Sequence, residues 1–237
     1  MEAAVEWIRR ARRGVSFSGA GLSVASGRPT YRGPGGLWEG ADPQVLTERR
    51  LRRDPLQFWE FFRRHWLSYG AARPNPAHAA LVELERRGHL VAHLTQNVDG
   101  LLQAAGAGAV VELHGHLRTV RCLVCERSQP IDAARSAGVP RCTHCGGVLR
   151  PDVVMFGDPL APATVEAAMR RLREADLVLV VGTTLEVQPA ATLLTECRSW
   201  ETPTLVVDPA PALVPGGRVC YLEGPAEVLL PGLTRGL

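Results

Sequence analysis

Lysine is absent from this chain of 237 residues; all 27 of its basic side chains are arginine. No side chain here can therefore be modified on a lysine amine. Asparagine is nearly absent as well, at positions 75 and 97 alone. Genome base composition, with selection against heat-labile residues, accounts for both scarcities. It also implies that an asparagine kept in such a chain does something an aspartate or serine cannot. Apolar runs long enough to span a bilayer are missing. Residues 1–13 have no apolar h-region and no small-residue cleavage site, so no secretory signal is expected. Cytoplasmic residence is the default, with no membrane partner. No large excess of charge is present: a net +3 does not by itself argue for nucleic-acid binding, and none is expected. Six cysteines are too few for a disulfide framework in a chain of this length. Cys197 and Cys220 stand in apolar surroundings and read as buried, inert thiols. What the chain does have is 46% apolar residues, enough core for one large domain or one domain with an insertion.

Apolar periodicity predicts a helix over residues 2–13, a short strand at 15–17 and a tight turn opening a helix at 19–23. Residues 26–43, rich in Gly and Pro, read as an ordered loop over a ligand. Residues 44–69 read as helical, with Phe58, Trp59, Phe61, Phe62 and Trp66 crowded together. A strand–helix alternation then begins, with helices at 78–87, 100–105, 163–174 and 189–197. Its strands fall at 90–94, 109–113, 177–181, 205–207 and, last, 219–222. Short apolar runs alternating with helices indicate an α/β fold: a parallel sheet covered on both faces, with ligands at the carboxyl ends of its strands.

The strongest motif is Cys122-x-x-Cys125 with Cys142-x-x-Cys145, flanked by Gly146-Gly147. Four thiolates close a tetrahedral zinc shell and leave no position for a reactive water, so the metal is read as one structural zinc. Ser18-Gly19-Ala20-Gly21-Leu22-Ser23 follows a strand, and its small residues would let a phosphate approach backbone N–H groups. The pattern is weak alone, and a plain tight turn reads equally well. Thr95-Gln96-Asn97-Val98-Asp99-Gly100 lies just past a strand, with donors and acceptors suited to an amide and to sugar hydroxyls. A helix N-cap by Asn97 or Asp99 is the structural alternative. His114 also ends a strand, and an imidazole titrating near neutrality suits a general base; His116 is the competing candidate.

Taken together, these residues resemble the sirtuin signature. The resemblance rests on 19–23 with Ser26-Gly27-Arg28-Pro29-Thr30-Tyr31-Arg32-Gly33, on Pro74-Asn75-Pro76-Ala77-His78, on 95–100 and on Glu112-Leu113-His114-Gly115. The four cysteines, Val153-Val154-Met155-Phe156-Gly157-Asp158 and Gly182-Thr183-Thr184-Leu185 complete it. It covers nearly the whole chain in the right order. It implies a Rossmann-like parallel-sheet domain over 1–40, 77–117 and 151–237. A smaller domain would comprise a helical insertion, 41–76, and a zinc-ribbon module, 118–150. It implies NAD-dependent removal of acyl groups from protein lysines, with acyl-lysine proteins or peptides as partners. Gly19, Ala20, Gly21, Thr30, Tyr31, Arg32 and Trp38 would bind the phosphates and nicotinamide ribose. Gln96, Asn97 and Asp99 would hold that ribose, the carboxamide and an ordered water, with Asn97 and His114 catalytic. Gly182, Thr183, Thr184, Asp208 and Ala226 would line the adenosine side, and Val154, Phe156, Gly157 and Val187 the acyl-lysine tunnel. In the implied chemistry the acyl oxygen displaces nicotinamide, and His114 then takes a proton relayed from the ribose hydroxyls. The products are free lysine and 2′-O-acyl-ADP-ribose.

Three departures from the family pattern stand out. Tyr31 replaces the usual Phe, and Asp208 the common Asn. The segment around Thr30 and Gly35-Gly36-Leu37-Trp38 resembles the branch that removes succinyl groups, which binds the acyl carboxylate with a Tyr-x-x-Arg pair. Counting back from Pro74, those positions hold Phe62 and His65, a poorer carboxylate site, so removal of acetyl or apolar acyl groups is expected over desuccinylation. ADP-ribosyl transfer or NAD hydrolysis would use the same site. A zinc hydrolase is disfavoured by the four-thiolate count, and a nucleic-acid zinc ribbon leaves 95–100 unexplained.

Overall fold

The computed structural model describes the chain except residues 34, 69–71, 213 and 215. In order the elements are α1 (Glu2–Arg10), β1 (Gly14–Ser18), a 3₁₀ stretch (Ala20–Ser26), α2 (Glu48–Arg53), α3 (Pro55–Phe62) and a π-helical turn (Arg63–Leu67). There follow α4 (Pro76–Arg86), β2 (Leu90–Thr95), α5 (Leu101–Ala104), β3 (Val110–Glu112), β4 (Gly115–Cys122), β5 (Ser128–Pro130) and β6 (Leu149–Val153). The last are α6 (Pro162–Glu174), β7 (Val178–Val181), α7 (Ala190–Cys197), β8 (Thr204–Asp208), β9 (Val219–Glu223) and α8 (Ala226–Arg235). They group into two compact units, one of Met1–Pro29, Ala72–Leu113 and Leu160–Leu237, the other of Thr30–Ala71 and His114–Pro159.

The first unit is a six-stranded parallel sheet in the order β3-β2-β1-β7-β8-β9. Its central strands bury both faces, which is why β7 reads Val-Leu-Val-Val without alternation. The edge strands β3 and β9 are only partly buried. Leu179, Val181, Leu205 and Val207 meet Ala4 and Ile8 of α1, Leu81 and Leu84 of α4, and Leu230 and Leu233 of α8 in one core. Strand order reverses between β1 and β7. In doubly wound sheets that switch point opens the crevice where dinucleotides bind.

The second unit holds a three-stranded antiparallel sheet, β5-β4-β6, and the helical insertion. The stretch read as helical, 44–69, is divided into α2 and α3 because Asp54 caps α3 and Pro55 occupies its first turn; residue 69 lies outside the described residues. Phe58, Trp59 and Phe62 are fully enclosed, and the Trp59 indole donates to the Leu149 carbonyl (3.0 Å), tying the insertion to β6. Residues 30–40, 114–117 and 151–159 group with this unit, whereas the resemblance placed them with the parallel sheet; residues 72–76, placed with the insertion, group with the first unit. The physical reasons are local. Val153 pairs with Gly115 across β6 and β4, and Tyr31 and Trp38 pack on Trp66 at 6.2 and 6.3 Å.

Two further expectations change. The first helix ends at Arg10 because the Asp176 carboxylate takes the N–H groups of Arg12 and Arg13 at 2.8 and 3.0 Å. Helix α8 went unforeseen because Pro231 and Gly232 interrupt its pattern. Among the described residues no helix is long and apolar enough to cross a membrane.

Candidate functional site

In the first unit the expected dinucleotide residues collect at the carboxyl ends of β2, β1, β7 and β8. The loops after β1 and β7 interlock through three glycines. Gly19 N–H donates to Val181 and Gly21 N–H to the Gly182 carbonyl, at 3.0 and 2.9 Å. A Cβ on Gly21 would lie 2.6 Å from the Gly182 Cα, and one on Gly182, where φ is +60°, would lie 2.3 Å from the Leu22 nitrogen. These glycines are required by backbone meeting backbone, a reason the sequence motif did not reveal. Ala20 opens the 3₁₀ stretch, partly buried.

Both asparagines brace that stretch. The Asn97 amide donates to the Gly19 carbonyl (2.9 Å) and to Ser23 Oγ (3.3 Å). The Asn75 amide donates to the Leu22 carbonyl (2.8 Å), while its oxygen caps α4 through Ala77 N–H (2.9 Å). Each use needs an amide N–H, which aspartate lacks. Ser23 also donates to Asp99 (2.8 Å), whose other oxygen accepts from Leu101 N–H (3.0 Å). Gln96 donates to Thr183 Oγ1 (3.0 Å). Asp208 accepts from Ala210 N–H (2.8 Å), and burial raises its pKa despite the N–H groups of Ala210 and Thr183. Thr184 is exposed, Val187 partly buried, and Ala226 begins α8, buried. Asn75, Ser23 and His78 received no role in the sequence analysis. Asn scarcity was the one signal that pointed to position 75.

His78 and Asp99 line one recess with Thr95 and Asn97. His78 Nδ1 accepts the Asn75 N–H (3.3 Å), so its neutral form carries the proton on Nε2, which is buried with no partner among the described residues. Burial lowers its pKa to about 4, against an opposing pull from Asp99. Burial likewise lowers that of His93, held between Ser16 (2.8 Å) and Glu85 (3.2 Å). Both groups take up protons more readily unfolded than folded. Their contribution is complete above the unfolded pKa and is lost as pH falls below about 6.5. Each tenfold change in proton affinity is worth about 1.4 kcal/mol, so His78 alone should cost about 2 kcal/mol between pH 7.5 and 5. Urea unfolding across that range measures it, and His78→Gln should flatten the profile; a wild-type stability that does not fall toward acid contradicts the assignment.

In the second unit His114 sits in the turn before β4, its carbonyl accepting Val154 N–H at 2.8 Å. Gly115 has φ +76°, and a Cβ there would lie 2.2 Å from the Asp152 carbonyl oxygen, so only glycine lets the chain turn after the histidine. His116 follows on β4, partly exposed. Phe156 is 37% exposed, and Gly157 adopts φ +91°. Tyr31 stacks on Trp38 (6.0 Å), Trp38 meets the edge of Phe156 (5.7 Å), and the Trp66 indole donates to the Tyr31 hydroxyl (3.3 Å). Thr30 Oγ1 donates to the Arg32 carbonyl (2.9 Å), with the Arg32 side chain exposed.

The acyl-selectivity positions fare differently. Phe62 is fully buried, stacked between Phe58 (5.9 Å) and Trp66 (5.2 Å), so it is a core residue with no exposed face for an acyl group, a correction to its expected place. His65 lies 4.4 Å from Phe61, and burial, then Arg64, lowers its pKa. Two neighbouring arginines could substitute at a register shifted by one or two residues: Arg63 is committed to the carbonyls of Ala134 and Gly138, whereas Arg64 is exposed.

The sulfurs of Cys122, Cys125, Cys142 and Cys145 all lie within 4.8 Å of one another. Two of the separations are 3.4 and 3.7 Å. A tetrahedron with zinc–sulfur bonds of about 2.3 Å has edges of about 3.8 Å, so the cluster fits zinc. The N–H groups of Cys125 and Val124 draw Cys122 down to about 6. At Cys145 the Gly147 N–H favours the thiolate, but the sulfurs of Cys122 and Cys125 outweigh it and push the thiol to about 12. Four such groups ionise together only around a cation. A Cβ on Gly147 would meet the Cys122 sulfur at 2.8 Å, and Gly146 adopts φ +72°, which together explain the glycine pair.

Comparison with known proteins agrees with this geometry. The Sir2 family model matches residues 19–189. The NAD-dependent protein deacetylase of Sulfurisphaera tokodaii is 45% identical over 180 residues, 74% of this chain and 71% of its own. The NAD-dependent protein deacylase of Thermococcus kodakarensis is 45% identical over 196 residues, 79% of this chain and 76% of its own. A solved Sir2 homologue variant in complex with ADP-ribose superposes with a TM-score of 0.91 at 36% identity, covering 100% of this chain and 96% of the other. The chain therefore belongs to the Sir2 family.

Proposed function

We propose that this protein removes acetyl or other apolar acyl groups from protein lysines, consuming NAD. The observation that carries the reading is the convergence of Gly19, Gly21, Gln96, Asn97, Gly182 and Thr183 at the switch point between β1 and β7. The names of the relatives and the ADP-ribose of the solved homologue support it. The domain division is read by function. The residues 1–40, 77–117 and 151–237 serve the dinucleotide, although 30–40, 114–117 and 151–159 among them pack with the second unit, and the insertion, 41–76, with the module, 118–150, serves as the small domain.

When bound, NAD supplies a nicotinamide–ribose bond whose cleavage drives acyl transfer. Gln96, Asn97 and Asp99 orient the ribose and carboxamide, and Asn97 is fixed for this by Gly19 and Ser23. Ala20, Gly21, Thr30, Tyr31, Arg32 and Trp38 enclose the phosphates and ribose. Thr183, Thr184, Asp208 and Ala226 take the adenosine side. His114 accepts a proton from a ribose hydroxyl as general base. Val154, Phe156, Gly157 and Val187 hold the acyl-lysine, with the peptide added as an extended strand. Apolar Val154 and Phe156 exclude water from the reacting centre. Zinc, held by Cys122, Cys125, Cys142 and Cys145, braces the module and takes no part in the chemistry. A cytoplasmic location is part of the same proposal, supported by four cysteines set for zinc and none paired in a disulfide.

Phe62 is enclosed, Arg63 is committed elsewhere, and burial disfavours the charged form of His65, so the Tyr-x-x-Arg positions offer a succinyl carboxylate a poor site. A panel of acyl-lysine peptides with and without NAD, read by nicotinamide release and peptide mass, tests the reading. Acetyl-lysine should be turned over at least about tenfold faster than succinyl-lysine, as expected for loss of a charge-assisted contact, and neither without NAD. Faster succinyl turnover overturns the acyl preference. NAD consumed without any peptide product identifies an NAD hydrolase or ADP-ribosyl transferase instead.

A further inference from the structure

Arg150, on β6, is enclosed, with 9% of its side chain exposed. Its NH1 donates to Glu48 Oε2 at 2.9 Å. Its NH2 donates to the Val153 carbonyl at 3.1 Å and to Asp158 Oδ2 at 2.5 Å. The same Asp158 oxygen accepts Met155 N–H, and Asp158 N–H donates to the Met155 carbonyl, both at 3.0 Å. One guanidinium thus grips residues on either side of the segment 154–157, at the Val153 carbonyl and at the carboxylate that closes the 155–158 turn. Within the turn Phe156 N–H donates to the Leu46 carbonyl (2.9 Å), and Glu48, two residues on, is the insertion's contribution to the grip.

Stability alone does not call for this arrangement. Buried ion pairs can often be replaced by apolar side chains of similar volume without loss. A planar fork with five fixed donors, however, sets the spacing of its acceptors in a way that no apolar side chain can. We infer that Arg150, set between Glu48 and Asp158, is a positioning residue for the acyl-peptide: it holds the 154–157 segment in the shape the substrate strand docks on. The inference rests on the deacylase reading above. An unclamped segment has to be ordered by the peptide itself, which weakens peptide binding. The His114 carbonyl bond to Val154 N–H is a backbone contact the guanidinium does not make, so the base keeps its place.

Arg150→Met and Asp158→Asn, assayed with NAD and an acetyl-lysine peptide, separate this role from a merely structural one. The peptide KM should rise about tenfold in R150M and less in D158N, whose side-chain oxygen still accepts Met155 N–H; kcat and the NAD KM should stay within about threefold. Thermal melting and zinc content report folding. An unchanged peptide KM in folded R150M overturns the inference, as does a parallel loss of kcat and of both substrates' binding. If R150M does not fold, D158N and Glu48→Gln decide, and an unchanged peptide KM in both is equally fatal. Wild-type protein inert toward peptide and NAD would instead sink the deacylase reading itself.

Discussion

His114→Ala should abolish deacylation while the protein stays folded. General-base catalysis contributes about 10²–10⁴ in rate, so kcat/KM for acetyl-peptide should fall by about that factor, or about 3–5 kcal/mol of transition-state stabilisation. The backbone reason for expecting an intact fold is specific. The contact His114 makes through Val154 is with its carbonyl, which alanine keeps, and the tight passage after it is the work of Gly115. In the proposed mechanism the base acts after nicotinamide has left, so exchange of labelled nicotinamide into NAD should survive the substitution better than product formation. Retained deacylation would remove His114 from the mechanism, and the same substitution at His116 would then be the next to make. Joint loss of exchange and deacylation, with a normal melt and zinc content, would mean that the imidazole serves the first step.

Stripping the metal, or replacing Cys142 by alanine, should be the most damaging change to the fold. Binding of a structural zinc by such modules is worth about 10–16 kcal/mol at neutral pH and is coupled to their folding. Without it, the four close sulfurs have no common partner to hold the two turns together. The effect should run along β4 and β6, since Cys122 lies opposite Leu149 and Leu149 accepts the Trp59 indole N–H. Zinc content should drop from one per chain, near-ultraviolet circular dichroism from the insertion tryptophans should collapse, and peptide turnover should cease. A Cys142→Ala protein that melts normally and still deacylates would show that the module stands without its metal.

Much of this was readable in the residues. The parallel sheet announced itself in runs such as 177–181, buried on both faces, and the zinc cluster in its two Cys-x-x-Cys pairs. The scarcity of asparagine pointed at position 97, and the reason, an amide N–H aimed at Gly19, is of the kind that scarcity implied. What was not readable depends on partners distant in sequence. Nothing near Arg12 shows that Asp176 will take its N–H and end the first helix. Nothing near Phe62 shows that Phe58 and Trp66 will enclose it, whereas a motif count placed it beside an acyl group. The sheet strands β4 and β5 carry too little alternation to be seen beside the cysteines, and Pro231 hides α8.

The glycine contact at the ends of β1 and β7 has a consequence for anyone reshaping this enzyme. With Gly21 and Gly182 touching backbone to backbone, the two loops form a single inheritable character although 160 residues part them on the chain. Libraries that randomise one loop alone will be filled with misfolded members. Altered dinucleotide preference will come from paired changes in both loops or from the polar side chains around them.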